Sequence, residues 1–223
     1  MSDPTPRARP LIWVNCAISI DGRLAFARGA RARLSGPQDL ARVQRLRAES
    51  DAIVVGSGTV ALDDPSLTVH WEEIGRTVGR PPTRIVLDSK GSLPEGARVF
   101  DGSSPTLVAT LESNRRTYPP YVERLVVGPD RVDLARLWGI LYERGMRRIL
   151  VEGGARVIAS VVASRTFDRL TVYVAPVLIG QETSPPMVAG PAARGFEELA
   201  RLRLLGVERL DDGYVASYEP SLP

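Results

Sequence analysis

The sequence is poor in the residues on which much metal and nucleophile chemistry depends. Its 223 residues include one cysteine, Cys16, one histidine, His70, and one lysine, Lys90. An intramolecular disulfide is excluded, and one cysteine with one histidine is too few for the usual zinc sites. A Ser-His-Asp triad would have to use His70, and a Schiff base would have to use Lys90. A magnesium site of acidic residues alone stays compatible with this composition, but we predict no metal.

Long hydrophobic runs and a large excess of one charge are also missing. No apolar run is long enough to span a bilayer, and the polar start MSDPTPRARP lacks the apolar core of a signal peptide. We therefore expect a flexible tail at residues 1–9 and a cytoplasmic protein without a membrane partner. The pI of about 9.3 accompanies a net charge of only +3. Arginines scattered over a soluble surface explain this better than a nucleic-acid site.

Short β-branched runs alternate with helical patterns, which is typical of a mostly parallel α/β sheet flanked by helices. Strands are predicted at residues 11–19, 52–56, 84–88, 106–110, 124–128, 147–153 and 168–176. Residues 201–219 predict a C-terminal antiparallel hairpin that turns at Asp212-Gly213. The sequence has no repeat and no low-complexity linker, so we expect one domain over residues 10–220.

Three segments carry the start or stop signals of helices. Ser35-Gly36-Pro37-Gln38 has the form of a capping box with a first-turn proline, and it predicts a helix to about Glu49. Asp133 is the predicted N-cap of a second helix, and Gly145 is its predicted stop. A third helix is predicted after Gly153-Gly154, where apolar residues recur at helical spacing.

Ligands of such sheets bind beyond the carboxyl ends of the strands, so the residues that follow each strand are the informative ones. Asn15 lies in an apolar strand, and a buried amide needs partners in the protein or on a ligand. Gly56 ends the strand AIVVG and Gly58 comes shortly after it, and a helix that begins near Thr59 would offer free N–H groups to an anion. A satisfied core asparagine and an ordinary turn at Asp63-Asp64 are the alternatives.

Two further strand ends are candidates for phosphate binding. Ser89 and Lys90 bring a hydroxyl and a positive charge to the end of RIVLD, although a solvated turn explains these two residues better by themselves. Gly153 and Gly154 follow ILVE, and without Cβ atoms they let a ligand approach the backbone closely. The next helix would aim its N-terminus at a diphosphate, with Glu152 at the floor of the cleft. A tight turn with an exposed Glu152 is the alternative.

These stretches occur in a characteristic order along nearly the whole chain. They are VNCAISIDGRLA, LSGPQDLARVQRLRAESDAIVVGSGTVALDDPSLTV, RIVLDSKG, ILVEGGARVIASVV and DRLTVYVAPVLIG. The arrangement resembles the pyrimidine reductases of riboflavin biosynthesis, which are related in fold to dihydrofolate reductase. Some members of that family are fused to a zinc deaminase with H-x-E and C-x-x-C motifs. Neither motif occurs here, so the resemblance is to the stand-alone reductase.

The resemblance implies a reaction, a cofactor and a homodimer. NADPH, or NADH as the alternative, would reduce the ring-opened form of 2,5-diamino-6-ribosylamino-4(3H)-pyrimidinone 5′-phosphate at C1′, giving the ribitylamino product without a metal. A related NADPH reductase of another pyrimidine or pterin is the nearer alternative. A non-catalytic nucleotide- or RNA-binding protein is the more distant one.

The resemblance also implies the site residues. The cofactor would be contacted by Ala17, Thr59, Asp63, Ser89, Lys90, Gly153, Gly154, Ala155, Arg156 and Val157, with Lys90 our own candidate for a 2′-phosphate. The substrate would be contacted by Asn15, Arg31, Arg33, Arg47, Leu67 and Glu152, with Arg47 suited to the 5′-phosphate. Glu152 is the candidate proton donor; alternatively it only holds the substrate and water supplies the proton.

Two positions depart from the family pattern. Fused bacterial members have lysine where this chain has Asn15, which should act by hydrogen bonding rather than by charge. Relatives often have arginine or lysine where this chain has His70, and a neutral histidine is a weaker phosphate partner. Arg31 or Arg33 would substitute for it.

Overall fold

Nine strands form one sheet in the computed structural model, which describes residues 9–26, 32–191 and 193–221. The strands are β1 (Leu11–Ser19), β2 (Ala52–Gly56), β3 (Thr83–Leu87), β4 (Thr106–Thr110), β5 (Val122–Val126), β6 (Arg148–Gly153), β7 (Arg169–Ala175), β8 (Leu202–Leu210) and β9 (Gly213–Pro220). Their order is β5-β4-β3-β2-β6-β1-β7-β9-β8, parallel from β5 to β7 and antiparallel from β7 to β8. The predicted mostly parallel sheet with an antiparallel C-terminal hairpin is confirmed.

Four α-helices accompany the sheet in the described part of the chain. They are α1 (Pro37–Ala48), α2 (Ser57–Asp63), α3 (Leu134–Glu143) and α4 (Ala155–Ala163). Asp133 caps α3 as predicted, since its side chain accepts a hydrogen bond from the backbone N–H of Arg136 at 3.0 Å. Gly145 follows α3 with φ +85°, the left-handed conformation expected of a glycine stop.

Both faces of the sheet are covered, because alternate strand residues point to opposite sides. On one face, Val54 and Val151 belong to a core cluster that also contains Ile158 of α4 and the apolar side of α3. On the other face, β2 and β3 pack against α2 and the loops that follow it. Asn15 and Glu152 alternate with the first cluster, so their side chains lie on the face that carries α1.

The C-terminal hairpin turns one residue earlier than predicted. Leu210 pairs with Gly213, so the two turn residues are Asp211 and Asp212 and the predicted Asp212-Gly213 turn is wrong. Asp211 adopts the left-handed conformation with φ +54°. Gly213 is glycine for a different reason, because a Cβ there would lie 2.3 Å from the carbonyl oxygen of Val174 on β7.

The predicted capping box of α1 is also wrong. The N-cap is Gly36, and the cap comes from the distant hairpin turn: Asp211 accepts from the backbone N–H groups of Gln38 at 3.1 Å and Asp39 at 3.0 Å. A Cβ at Gly36 would lie 2.5 Å from the carboxyl carbon of Asp211, so only glycine admits this contact. The hairpin turn therefore fixes the start of the helix that carries Arg47.

Replacing Asp211 with alanine should lower the free energy of unfolding by about 1–2 kcal/mol, the usual cost of losing a helix cap. Chemical denaturation measures this change. Glu95→Ala, which removes an exposed carboxylate from a loop, is the matched control and should change stability by less than about 0.5 kcal/mol. Equal effects of the two substitutions would contradict the capping role.

Arg9 lies at the start of the described chain. Its guanidinium donates to both carboxylate oxygens of Asp168, at 2.6 and 3.0 Å. The predicted flexible tail over residues 1–9 includes Arg9, which is instead held by this ion pair. Residues 1–8 of that tail lie outside the described residues. Among the helices of the described chain, none is long and apolar enough to cross a bilayer. The cytoplasmic location stays a prediction.

Candidate active site

Glu152 is the extra residue of a β-bulge near the carboxyl end of β6. Val54 of β2 pairs with Val151, but the next residue, Val55, pairs with Gly153, so Glu152 has no counterpart on β2. Bulges re-aim side chains and recur beside active sites. The bulge explains how a run of core residues ends on a carboxylate that points toward α1.

Arg47 of α1 holds the Glu152 carboxylate in a bidentate ion pair. Its Nε donates to Oε1 at 2.7 Å, its Nη2 to Oε2 at 2.6 Å, and its Nη1 to the carbonyl oxygen of Thr68 at 3.0 Å. The two charged side chains are only 16% and 10% exposed. Burial disfavours the charged guanidinium, but the Glu152 carboxylate outweighs this effect and raises the pKa of Arg47 above its ordinary value. In this geometry both oxygens of Glu152 are acceptors.

A second polar cluster joins β1 to α1 on the same face of the sheet as Glu152. Oδ1 of Asn15 accepts from Nη2 of Arg42 at 2.9 Å and from the hydroxyl of Thr171 at 2.8 Å. Nε of Arg42 also donates to Asp39 at 2.9 Å, and Asp39 is 1% exposed. Asn15 is thus held within the protein on its oxygen side.

The turn from β6 into α4 leaves backbone groups open to a ligand. Gly153 and Gly154 have φ angles of +149° and +81°. A Cβ at Gly154 would lie 2.8 Å from Oγ1 of Thr59, so the two segments approach as closely as glycine permits. The first helical bond of α4 runs from the N–H of Ile158 to the carbonyl of Gly154. The N–H groups of the three preceding residues therefore have no acceptor within the helix.

Helices α2 and α4 begin side by side at this turn. Gly56 precedes α2, and a Cβ there would lie 2.9 Å from Cγ2 of Val157 in the first turn of α4. The V-G-x-G-T run and the E-G-G turn therefore meet at one place, although about 100 residues separate them in the sequence. Helix α2 begins at Ser57, two residues before the expected Thr59.

The end of β3 is a turn that a buried carboxylate holds in place. Asp88 is completely buried and accepts hydrogen bonds from the backbone N–H of Ser92 at 2.9 Å and the hydroxyl of Tyr118 at 3.1 Å. These bonds fix the loop that carries Ser89, which is partly exposed, and Lys90, which is exposed. Both side chains are available to a ligand.

The geometry and the sequence together decide the family. The model of the RibD C-terminal domain matches residues 10–216, nearly the whole chain. The chain belongs to the RibD C-terminal domain family. Its described part contains the RibD reductase fold, and the predicted relation to the riboflavin-pathway reductases is confirmed.

Two archaeal relatives match the RibD C-terminal domain of this chain over nearly their full length. The first is the 2,5-diamino-6-ribosylamino-4(3H)-pyrimidinone 5′-phosphate reductase of Archaeoglobus fulgidus, 36% identical over 94% of this chain and 97% of the relative. The second is the reductase of the same name from Methanothermobacter thermautotrophicus, 34% identical over 94% and 98%. Both relatives are thus named reductases of a pyrimidinone phosphate, and neither is much longer than this chain.

Solved structures give the same fold. RibD of Acinetobacter baumannii superposes with a TM-score of 0.80 at 27% identity, over 96% of this chain and 59% of that chain. This chain thus spans about 59% of that longer RibD protein. The riboflavin biosynthesis reductase Rib7 of Saccharomyces cerevisia superposes with a TM-score of 0.75 at 21% identity, over 98% of this chain and 93% of that chain. The predicted dihydrofolate-reductase-like class agrees with these folds.

Several predicted site residues lie apart from the Arg47–Glu152 pair and from the polar cluster around Asn15. Leu67 is 1% exposed and lies in the core. Asp64, next to Asp63, accepts from the backbone N–H of Arg98 at 2.7 Å and so has a structural contact. Arg33 is exposed, and Arg31 lies outside the described residues. Their assignments to cofactor or substrate stay predictions.

His70 lies on the surface and pairs with a carboxylate. Its Nδ1 is 2.9 Å from Oε1 of Glu73, and the two side chains are 47% and 43% exposed. His70, Glu72 and Glu73 are the one group in the described chain whose ligand atoms lie within 4.8 Å of one another. All three are exposed, and nothing further at this surface indicates a metal. A phosphate that binds His70 would have to displace the carboxylate of Glu73.

Sequence reasoning missed Arg42, Asp39 and Asp211. Arg42 and Asp39 lie in the first turns of α1 and look like ordinary charges of an exposed helical face. Asp211 is more than 170 residues away from the helix that it caps. Only the unusual burial of a carboxylate at Asp39 distinguishes this cluster, and burial is not visible in a single sequence.

Proposed function

We propose that this protein reduces 2,5-diamino-6-ribosylamino-4(3H)-pyrimidinone 5′-phosphate to its ribitylamino product in riboflavin biosynthesis, with NADPH as the reductant. The observation that carries the proposal is the full-length match to two reductases of that name. The open N–H groups at the start of α4, beside Thr59, support it independently, because a dinucleotide needs such a place for its diphosphate.

The residues around the β6–α4 turn fit a nicotinamide dinucleotide. A Cβ would fill the space above Gly154, so the backbone there can approach a diphosphate closely. Ala155, Arg156 and Val157 would donate their N–H groups to it, and Thr59 would supply a hydroxyl. The turn after β3 would hold the adenosine side, with the exposed Lys90 suited to a 2′-phosphate. That charge is our reason for preferring NADPH over NADH.

When bound, the reduced nicotinamide supplies the hydride for the imine carbon C1′ of the ring-opened substrate. The nitrogen of the imine takes a proton in the same net reaction, and the product is a secondary amine. Glu152 accepts a hydrogen bond from Arg47 on each of its oxygens, so both oxygens are engaged in this arrangement. We therefore assign Glu152 the positioning of Arg47 and the substrate, and we assign the proton to water.

The 5′-phosphate needs a cation that is not already paired. Arg47 has three hydrogen-bond acceptors within the protein, so we assign the phosphate to the exposed Arg33, with Arg31 as a second cation. Arg33→Ala should raise KM for the phosphorylated substrate by about tenfold and leave KM for its dephospho form unchanged. Steady-state kinetics with both substrates measures the difference.

Arg47→Ala should raise KM for both substrates by similar factors, because Arg47 acts through Glu152. If Arg47→Ala affected only the phosphorylated substrate, Arg47 would be the phosphate ligand and the assignment to Arg33 would be wrong.

We also infer a homodimer. Strand β8 is one of the two edges of the sheet, and eight of its nine residues are exposed. Leu204 and Val207 on this edge are 53% and 59% exposed. A long, apolar edge strand would pair with other chains if it stayed exposed in a monomer. A second copy of the chain would cover it.

Substrate-dependent oxidation of NADPH tests the proposed reaction. The loss of NADPH absorbance is followed with the pyrimidinone phosphate, its dephospho form and dihydrofolate, with NADH run in parallel. We expect turnover of the pyrimidinone phosphate and little of dihydrofolate. Turnover of dihydrofolate alone would point instead to a related pterin reductase, and no oxidation with any substrate would contradict the proposal.

A further inference from the structure

The cluster around Asn15 determines which hydrogen-bonding group this residue can offer to a ligand. An asparagine side chain ends in an acceptor, Oδ1, and a donor, Nδ2, and a simple rotation exchanges them. The identity of the group that faces the cleft therefore depends on the partners of the other group.

The contact with Arg42 fixes the orientation of the Asn15 amide. The guanidinium of Arg42 has no acceptor, so the atom 2.9 Å from its Nη2 must be Oδ1. Nε1 of Trp13 can only donate, and it donates to the hydroxyl of Thr171 at 3.1 Å. The hydroxyl of Thr171 in turn donates to Oδ1 of Asn15 at 2.8 Å. Arg42 thus requires the oxygen on its side, and the contact with Thr171 agrees with this orientation.

Arg42 itself is held in place from the far side. Its Nε lies 2.9 Å and its Nη2 2.7 Å from Oδ1 of Asp39, which is 1% exposed. The backbone N–H of Asp39 is bound by Asp211 at 3.0 Å. A continuous set of hydrogen bonds thus runs from the hairpin turn through α1 to β1, and it leaves Arg42 little freedom to turn away from Asn15.

The donor group of Asn15, Nδ2, has no acceptor in the described part of the protein. Asn15 is 6% exposed, and within the described chain Nδ2 makes no hydrogen bond. Nδ2 keeps some access to solvent, so its two N–H groups can donate to an acceptor on a ligand. Asn15 lies one residue beyond Val14, which pairs with Val151, and so it lies beside Glu152 on the adjacent strand.

We infer that Arg42 is a positioning residue. It holds the Asn15 amide with Nδ2 toward the substrate, so that Nδ2 donates a hydrogen bond to a carbonyl oxygen of the substrate. The inference rests on the proposed function, since the acceptor we assign is the ring carbonyl of the pyrimidinone. A substrate with an amino group at that position would place donor against donor and would be rejected. Arg42 contacts no ligand in this account.

The test compares Asn15→Asp and Arg42→Lys with wild type. Asn15→Asp keeps an oxygen facing Arg42 and Thr171 but replaces Nδ2 with a second acceptor, so KM for the pyrimidinone phosphate should rise by at least about tenfold. Arg42→Lys has no planar fork to hold both Asp39 and Asn15, so it should raise KM about fivefold. The Kd of NADPH, measured by fluorescence, should change less than about twofold in both variants, which a general loss of structure would not allow.

Arg144→Ala is the matched control for removal of a paired arginine. Arg144 pairs with Glu123 at the surface, at 2.7 Å, and this substitution should leave KM, kcat and the Kd of NADPH unchanged. If wild type turns over the substrate and both test variants keep its KM, the lock is refuted and the proposed function stands. If wild type does not turn over the substrate, the proposed function fails and this inference fails with it. Should Asn15→Asp not fold, Arg42→Lys alone decides.

Discussion

Gly154→Ala is expected to weaken NADPH binding by about tenfold or more. Gly154 has φ +81°, a conformation that residues with a Cβ rarely adopt, and its missing Cβ leaves room for a diphosphate to approach the backbone. Losing about 1.4 kcal/mol of binding free energy through this blocked approach corresponds to a factor of ten in Kd. The new Cβ would also lie 2.8 Å from Oγ1 of Thr59 and would move the N–H groups at the start of α4. Titration of NADPH fluorescence measures Kd directly, without substrate.

Gly139→Ala is the matched control for this substitution. Gly139 lies within α3, where a Cβ would meet no atom within 4 Å, so alanine should stabilise the protein by about 0.5–1 kcal/mol. The Kd of NADPH should be unchanged. If Gly154→Ala bound NADPH as tightly as Gly139→Ala does, the β6–α4 turn would not be the diphosphate site.

Glu152→Gln is expected to lower the stability of the protein more than it lowers kcat. Arg47 is only 16% exposed, and removing its counter-charge should lower the free energy of unfolding by about 3 kcal/mol, the lower end of the range for a broken buried pair. For a chain of this length that is a fall in Tm of roughly 6–12 °C. Since Glu152 acts as an acceptor, kcat should stay within about tenfold of wild type. Loss of a proton donor would instead reduce kcat by about 10²–10⁴-fold.

The double variant Arg47→Met with Glu152→Gln tests whether the loss of stability comes from an unpaired buried charge. With the guanidinium gone, no buried charge is left uncompensated, so the double variant should be more stable than Glu152→Gln alone. Thermal unfolding of the two single variants and the double variant completes the cycle. Additive losses would show that the pair is not coupled and that the contact between Arg47 and Glu152 contributes little.

Local signals in the sequence predicted much of the fold. The bounds of β1, β2 and β4 agree with the predictions because their apolar runs end at Gly, Pro or polar residues. The cap at Asp133 and the stop at Gly145 were also correct, since each depends on a few neighbouring residues. Elements that local physics defines are therefore predictable from a single sequence.

Contacts between distant segments were not predictable in this way. The cap of α1 comes from Asp211, and the sequence around Ser35 offered a local capping box that the structure does not use. The sequence predicts both Arg47 and Glu152 as site residues, but nothing in it indicates their pairing across 105 residues. The orientation of Asn15 likewise depends on partners from α1 and β7, and it appears only when those elements are packed together.

The transfer of a labelled hydride tests the proposed reaction most directly. The protein is incubated with the pyrimidinone phosphate and NADPH that carries deuterium at C4 of the nicotinamide, in the pro-R or the pro-S position in separate reactions. Mass spectrometry of the product then locates the label. The account predicts one deuterium at C1′ of the ribityl chain from one of the two labelled cofactors and none from the other. An unlabelled product from both, or a label elsewhere in the product, would contradict it.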